Sequence, residues 1–332
     1  MTTSNTDAPI KAPLLSWFGG KFRIAKWIIE RLPPHEVYVE PFGGAAGVLL
    51  QKPRSPVEIY NDLDGEIVNL FRVVRDEAMR ERLIAALEAT PYSRAEFEAA
   101  WSAVDEPIER ARRLCVRAQM GFGATGSARP LDASAGFAAD IWTDRLGQWA
   151  RYPDRLSAIG TRLRGTLIEH KPAAQLIARH DAPGTLFYID PPYLPGTRAS
   201  RGVGRDYRHE MTPFEHADLL AMLTNLQGMA VISGYASEMY DASLIGWARF
   251  THMARAQGQR GAVSREEVLW VSPAACVALN IEPGSQHRGP AVTDMTLSLF
   301  EGMSGDAADH VGRTAAGGAD MRDASLPPSG AG

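Results

Sequence analysis

The tetrapeptide Asp190-Pro191-Pro192-Tyr193 directly follows an apolar, β-rich run from Gly184 to Ile189. A carboxylate in that place stands at the carboxyl end of a strand, where open α/β sheets bind their ligands. Pro191 and Pro192 have no backbone N–H, so the turn holds few donors, while their carbonyls still accept. A carboxylate beside a carbonyl makes a two-acceptor site for an amino group. Tyr193 adds a flat face for a planar ring. Together they suit a substrate with an exocyclic NH₂ on an aromatic ring. The plainer alternative is a rigid strand-end turn with a capping Asp.

A second group is Glu40-Pro-Phe-Gly-Gly-Ala-Ala-Gly47, after the short β-rich run Val37 to Val39. Its glycines, Gly43 and Gly44 among them, allow a tight turn and a close backbone approach to a ligand. The segment lacks both GxGxxG and the lysine and hydroxyl of a P-loop, so it does not call for a diphosphate. Glu40 would repel phosphate and suits a positive group. Asp62 ends the next strand, Val57 to Tyr60, where it can accept from ribose hydroxyls. A nucleoside with a cationic tail satisfies both, and S-adenosylmethionine is one. A third group, Leu15-Ser-Trp17-Phe-Gly-Gly20-Lys21, precedes the first helix and can hold an anionic group with backbone donors and a lysine. Its plainer reading is a loop with a solvated Lys.

The elements that must position these residues follow an α/β pattern. Ile24, Trp27, Ile28 and Leu32 share one face of a helix over Arg23–Leu32. The glycine turn is expected to lead into an apolar helix from about Ala45. Ile67, Leu70, Phe71 and Val74 mark a helix after the second strand. The order strand–turn–helix–strand–helix begins a doubly wound sheet. Residues 77–163 read as helical, with a capping box at Ser93–Glu96, and are expected to form an inserted subdomain. Strand signals return at Thr166–Glu169, Gly184–Ile189 and Met229–Ile232, and at Glu267–Val271 near the sheet edge. Thr212-Pro-Phe-Glu215 opens a helix running to about Leu226. Residues 1–12 are expected to be a disordered lead. Residues 302–332, mostly Gly, Ala, Ser, Asp and Pro, are expected to be a disordered tail.

Composition narrows the class. The chain has 332 residues, 45% apolar and 22% charged, which fits an ordinary globular protein. Two cysteines, Cys115 and Cys276, exclude a disulfide scaffold or a cysteine-built zinc cluster and suit a reducing compartment. No apolar run is long enough to span a membrane, and Met1 to Pro9 has no signal-peptide core. A cytoplasmic place is expected. The eight histidines show no metal-ligand spacing, so no metal is expected, and His209 and His216 read as surface positions. Trp101, Trp142, Trp149 and Trp247 read as core. Nothing specifies an oligomer, and a monomer is compatible with the sequence. The net charge of −4 does not mark a nucleic-acid binder, so any such role needs local patches.

In type and order these segments resemble the Dam-like DNA adenine methyltransferases, phage-type members included. Trp17-Phe-Gly-Gly-Lys21 is similar to the family's N-terminal cofactor motif. Glu40-Pro-Phe-Gly-Gly44 resembles its glycine motif, Asn61-Asp62 its acidic ribose position and Asp190-Pro-Pro-Tyr193 its catalytic motif. Val231-Ile-Ser-Gly-Tyr235 and Glu267-Val-Leu-Trp270 match further motifs. The likeness spans residues 13–275; one departure is Ser272, where the family pattern has Asn. It implies a Rossmann-like, S-adenosylmethionine-dependent catalytic domain over 13–76 and 164–301. It also implies a helical target-recognition insert over 77–163. Trp17, Gly20, Lys21, Glu40, Phe42, Gly43, Gly44, Asp62 and Asp190 would line the cofactor pocket, and Asp190, Pro191, Pro192 and Tyr193 the catalytic turn.

A base inside a duplex cannot reach such a pocket, so double-stranded DNA would have to yield a flipped base, with Tyr193 stacking on it. Two basic stretches suit the DNA backbone. Arg110, Arg112, Arg113, Arg117 and Arg129 surround the single acid Glu109; Arg198, Arg201, Arg205 and Arg208 follow the catalytic turn, against Asp206. Gly196, Gly202 and Gly204 suit a closing loop, and Tyr207 a substrate contact. Solvated charged faces are the plainer reading of both stretches. Methylation of the cytosine or an RNA amino group would use the same chemistry, and a catalytically inactive DNA-binding protein is the alternative from another class.

Overall fold

The computed structural model describes residues 9–122, 131, 136–139, 143–197, 207–258 and 261–288. The chain divides into units 1–289 and 290–332, and the second lies outside the described residues, as do the expected tail, most of the expected lead, Trp142 and Arg129. Among the described residues, eight strands form one mixed sheet in the order β3-β2-β1-β4-β5-β7-β6-β8. The strands are β1 Val37–Glu40, β2 Val57–Asn61, β3 Thr166–Glu169, β4 Thr185–Ile189, β5 Met229–Tyr235, β6 Ala248–Gly258, β7 Gly261–Val271 and β8 Gln286–Arg288. The first five run parallel, and β7 joins β5 antiparallel.

The central strands are apolar along their length because helices cover both faces. Alternation within each strand sorts its side chains between two cores. Tyr38, Leu186, Tyr188 and Val231 enter one core, with Ile67, Phe71 and Val74 of helix α2, Gly65–Arg75. Val39, Phe187, Ile189 and Ile232 enter the other, with Leu176, Leu219 and Tyr240 from three helices. The doubly wound α/β reading is therefore seen. Helices from residues 77–163 belong to the first of these cores. Leu83 and Leu87 of α3, Glu77–Glu88, and Leu114 and Val116 of Pro107–Met120 are buried with the sheet residues.

Several expectations are corrected. The stretch after Ala45 is no helix but a run of turns. Ala46 has φ 53° and Gly44 φ 47°, left-handed values that interrupt an α-helical ladder. Ser93 accepts the Glu96 N–H, but Glu96 turns its own carboxylate to Arg112, so the box is half made. The strand containing Glu267–Val271 lies between β5 and β6, not at the edge. Strands β6 and β8 had no sequence signal; polar and charged residues interrupt both. The Thr212 capping box is complete, though its helix ends at Leu223. His216 is buried, with Nδ1 2.9 Å from the Tyr240 hydroxyl, not on the surface. Trp149 and Trp247 are buried as expected, and Trp101 is partly so. Among the described residues no helix is long and apolar enough to cross a membrane.

Candidate active site

From β1 the chain steps out to β2 and β3, then returns to place β4 on the other side of β1. The switch point lies between β1 and β4, and the crevice beyond their carboxyl ends is where such sheets bind ligands. Val39 pairs with Phe187 across it, so Glu40 aligns with Tyr188, and Asp190, two residues on, emerges at the same crevice. A cleft of about 1050 Å³, its open mouth included, occupies this place. Trp17, Gly20, Lys21, Glu40, Phe42, Gly43, Gly44, Asp62, Asp190, Pro191, Pro192, Tyr207 and Arg208 all line it. Sequence-distant segments are thus brought together.

Buried Asn61 ties the strand ends to one another. Its amide donates to the carbonyls of Pro41 and Lys171, and its oxygen accepts the Lys171 N–H at 2.9 Å. Asp62 then pins the glycine turn: its two oxygens accept the N–H groups of Gly44 and Asp64, each at 2.8 Å. With about four acceptor sites, the carboxylate still has capacity for a further donor. Gly43 packs against the Tyr60 ring so closely that a methyl group there would overlap it. Tyr60 in turn donates to the Gly44 carbonyl at 2.7 Å.

Burial shapes the charges. Glu40 is 2% exposed, and burial raises its pKa to about 7, although the Tyr38 hydroxyl and the Leu49 N–H both donate to it. Asp62, open only toward the cleft, is raised to about 6, chiefly by burial. Burial pulls the Lys21 ammonium down, but the Asp190 and Glu267 carboxylates more than offset this, and its pKa lies above the ordinary value. Lys21 Nζ is 3.1 Å from Asp190 and donates to the Gly19 carbonyl at 2.7 Å.

Sequence reasoning quoted Ser233 within a motif but gave it no role; its hydroxyl donates to Asp190 at 2.7 Å. A hydroxyl in an otherwise apolar strand was its signal, and the pairing of Ile189 with Ile232 sets it beside Asp190. Tyr188, Asp64 and Lys171 also line the cleft unforeseen. Ser272 caps Pro273–Leu279, accepting N–H groups from Ala275 and Ala230, so the departure at that position does structural service. Tyr193 is buried and does not line the cleft; its hydroxyl donates to Glu267 at 2.7 Å.

The arginines divide. Arg117 is 1% exposed and pairs with Glu66 at 3.1 Å, so the expectation that it touches DNA is corrected: it is a scaffold cation inside the protein. Arg110 also pairs with Glu66, and Arg112 and Arg113 with Glu109. The hydrogen bond from Arg112 does most to hold Glu109 down at about 2; burial opposes it, and Arg113 adds a further lowering. Arg208 pairs with Asp64, and the Tyr207 hydroxyl faces the Phe18 carbonyl at 3.4 Å. Arg198, Arg201 and Arg205 lie outside the described residues.

Fold and site together define a doubly wound α/β protein with an acidic, aromatic-walled cleft at its switch point. Residues 17–106 match the family model described as D12 class N6 adenine-specific DNA methyltransferase. That segment runs from Trp17 through Glu40 and Asp62, and the match supports an adenine-specific DNA methyltransferase. No curated protein matches the sequence. One solved structure is that of precorrin 8W decarboxylase, the product of gene MT0146 of Methanobacterium thermoautotrophicum. It is 8% identical over 75% of this chain and 89% of that chain, at a TM-score of 0.31.

Proposed function

We propose that this chain transfers a methyl group from S-adenosylmethionine to the N6 amino group of adenine in double-stranded DNA, in the cytoplasm of a bacterium or of a phage-infected cell. Its setting would be restriction–modification, phage protection or epigenetic marking. The convergence of Glu40, Asp62 and Asp190 in one cleft at the switch point is the observation that carries this reading. The donor set fits the cofactor. Glu40 offers negative charge to a cationic tail, and Asp62 accepts from ribose hydroxyls. Trp17 and Phe42 supply flat apolar walls.

The bound cofactor supplies an electrophilic methyl group. The amino lone pair of adenine is delocalised into its ring, so it is a weak nucleophile. Asp190 and the Pro191 carbonyl, accepting its two N–H bonds, draw the nitrogen toward tetrahedral geometry and localise that pair. Such bonds strengthen as positive charge develops, which is what lowers the barrier. Holding the nitrogen in line adds a proximity effect. The proton then leaves to Asp190 or to water. Adenine reaches the turn by flipping out of the duplex. Residues 77–163 serve as the target-recognition region, Tyr207 and Arg208 serve the DNA side of the cleft, and Arg198, Arg201 and Arg205 are assigned to the DNA backbone by their charge alone. Arg110 and Arg113, with side chains 31% and 20% exposed, remain candidate backbone contacts.

Methyl transfer from labelled S-adenosylmethionine to unmethylated DNA, followed by nucleoside analysis, tests this. Wild type is expected to yield N6-methyladenine. Asp190→Ala is expected to lose rate on the order of 10²–10³, the effect of removing one preorganised polar partner, with cofactor binding retained. A wild type that binds no cofactor sinks the reading.

A further inference from the structure

Glu267 is a buried carboxylate that the reaction above does not use. It lies on β7 opposite Tyr235 of β5, at the carboxyl end of that strand, and is 8% exposed. Burying a charge is costly unless partners offset it. Besides Arg265, the partners here belong to the catalytic turn or touch it. Glu267 accepts the Tyr193 hydroxyl at 2.7 Å. The Tyr193 ring packs edge-on against Tyr235 at 4.7 Å and lies beneath the Lys21 ammonium at 4.5 Å. The same ammonium is 3.1 Å from Asp190, whose other anchor is the Ser233 hydroxyl. Burial lifts the pKa of Glu267, while Lys21 is the largest influence opposing that rise.

We propose that Glu267 is a positioning residue for methyl transfer: it tethers Tyr193 at one end of the turn and shares the Lys21 charge that holds Asp190 at the other. The proposal rests on the methyltransferase reading and adds a residue to its machinery. Two consequences separate the tether from the charge. Without the tether, the Tyr193 hydroxyl loses its Glu267 acceptor, and the turn is held less firmly at that end than at Asp190. Without the charge, Lys21 is answered at close range by Asp190, and this pairing draws on lone pairs that must accept the substrate amino group. Both shift Asp190 from the geometry that the in-line reaction demands, where misplacement by about 1 Å costs on the order of 10²-fold.

The test compares single-turnover rates and cofactor affinity in wild type, Glu267→Gln, Glu267→Ala and Tyr193→Phe, using labelled S-adenosylmethionine and unmethylated duplex DNA. Gln keeps an acceptor for Tyr193 and removes the charge. It is expected to slow methyl transfer about tenfold, and Ala about 10²-fold, with cofactor Kd and DNA KM within about twofold. Tyr193→Phe, which removes the tether and keeps the charge, is expected to fall between wild type and Ala. Rates of both Glu267 variants within twofold of wild type overturn the proposal. So does a loss that follows cofactor binding and thermal stability in parallel, since that marks a purely structural carboxylate. A wild type inactive on DNA overturns the methyltransferase reading itself, and this arm is read independently of the variants.

Discussion

At the carboxyl ends of β1, β2 and β4, the carboxylates of Glu40, Asp62 and Asp190 face a common cleft. On the helix Pro107–Met120, Arg110, Arg112, Arg113 and Arg117 turn to Glu66, Glu96 and Glu109 of the protein itself. Both groups stood out in the sequence by charge. They differ because a strand end has a forced destination, whereas a helical charge row has none until its neighbours are in place. Parallel strands in one sheet deliver their ends to the same edge, so residues just past them meet there. A helix presents residues to all sides; Glu109 answers from the helix itself, but Glu66 and Glu96 come from elsewhere in the chain.

The difference can be pressed hardest at Glu66. Glu66→Gln leaves the buried Arg117 guanidinium without its counter-charge, and breaking a buried pair costs about 3 kcal/mol. Denaturant unfolding is expected to show that loss, with methyl transfer per folded molecule little changed. A loss below about 1 kcal/mol would mean that the pair behaves like a surface one.

The acidic cleft makes a pH prediction of intermediate size. In the free protein Glu40 has a pKa of about 7 and Asp62 of about 6, both raised by burial. A cationic tail and hydroxyl donors favour the ionised carboxylates. Cofactor affinity is therefore lower at acid pH, rises as pH climbs through both values, and levels off above them. Binding below neutrality releases protons. Calorimetry from about pH 5.5 to about 7.5 is expected to show a gain of about tenfold, one pKa unit being a tenfold factor. Glu40→Gln should remove the part near neutrality and spare the part near 6. A flat profile would place the cofactor away from both groups.

The smallest effect is expected at Arg113. Its pair with Glu109 lies on the surface, so Arg113→Ala should change stability by less than about 1 kcal/mol. As one phosphate contact it should lower the salt slope of DNA binding by about 1. An unchanged slope would assign the whole row to scaffolding.

How far local spacing reaches is clear at particular residues. Asp190 was identifiable because an apolar strand ends abruptly in prolines, and Asp62 because a second strand ends in an acid. The turns after Ala45 were not, because apolar residues suit a helix until the left-handed Ala46 interrupts it. Strand β6 was hidden because its residues satisfy β7 and the sheet edge rather than an alternating pattern of their own. Glu267 was visible as part of a motif, but the bond to Tyr193 that gives it a purpose joins residues 74 positions apart.

Where the five parallel strands lie, and which acids close β1, β2 and β4, followed from chain order alone, because backbone geometry and apolar patterning act over a few residues. Which cation meets which anion did not. Lys21 meets Asp190, Arg117 meets Glu66, and Tyr193 meets Glu267 because the sheet and its two cores bring those segments together. Long-range pairing depends on which faces are buried against each other, and only the packed chain specifies that.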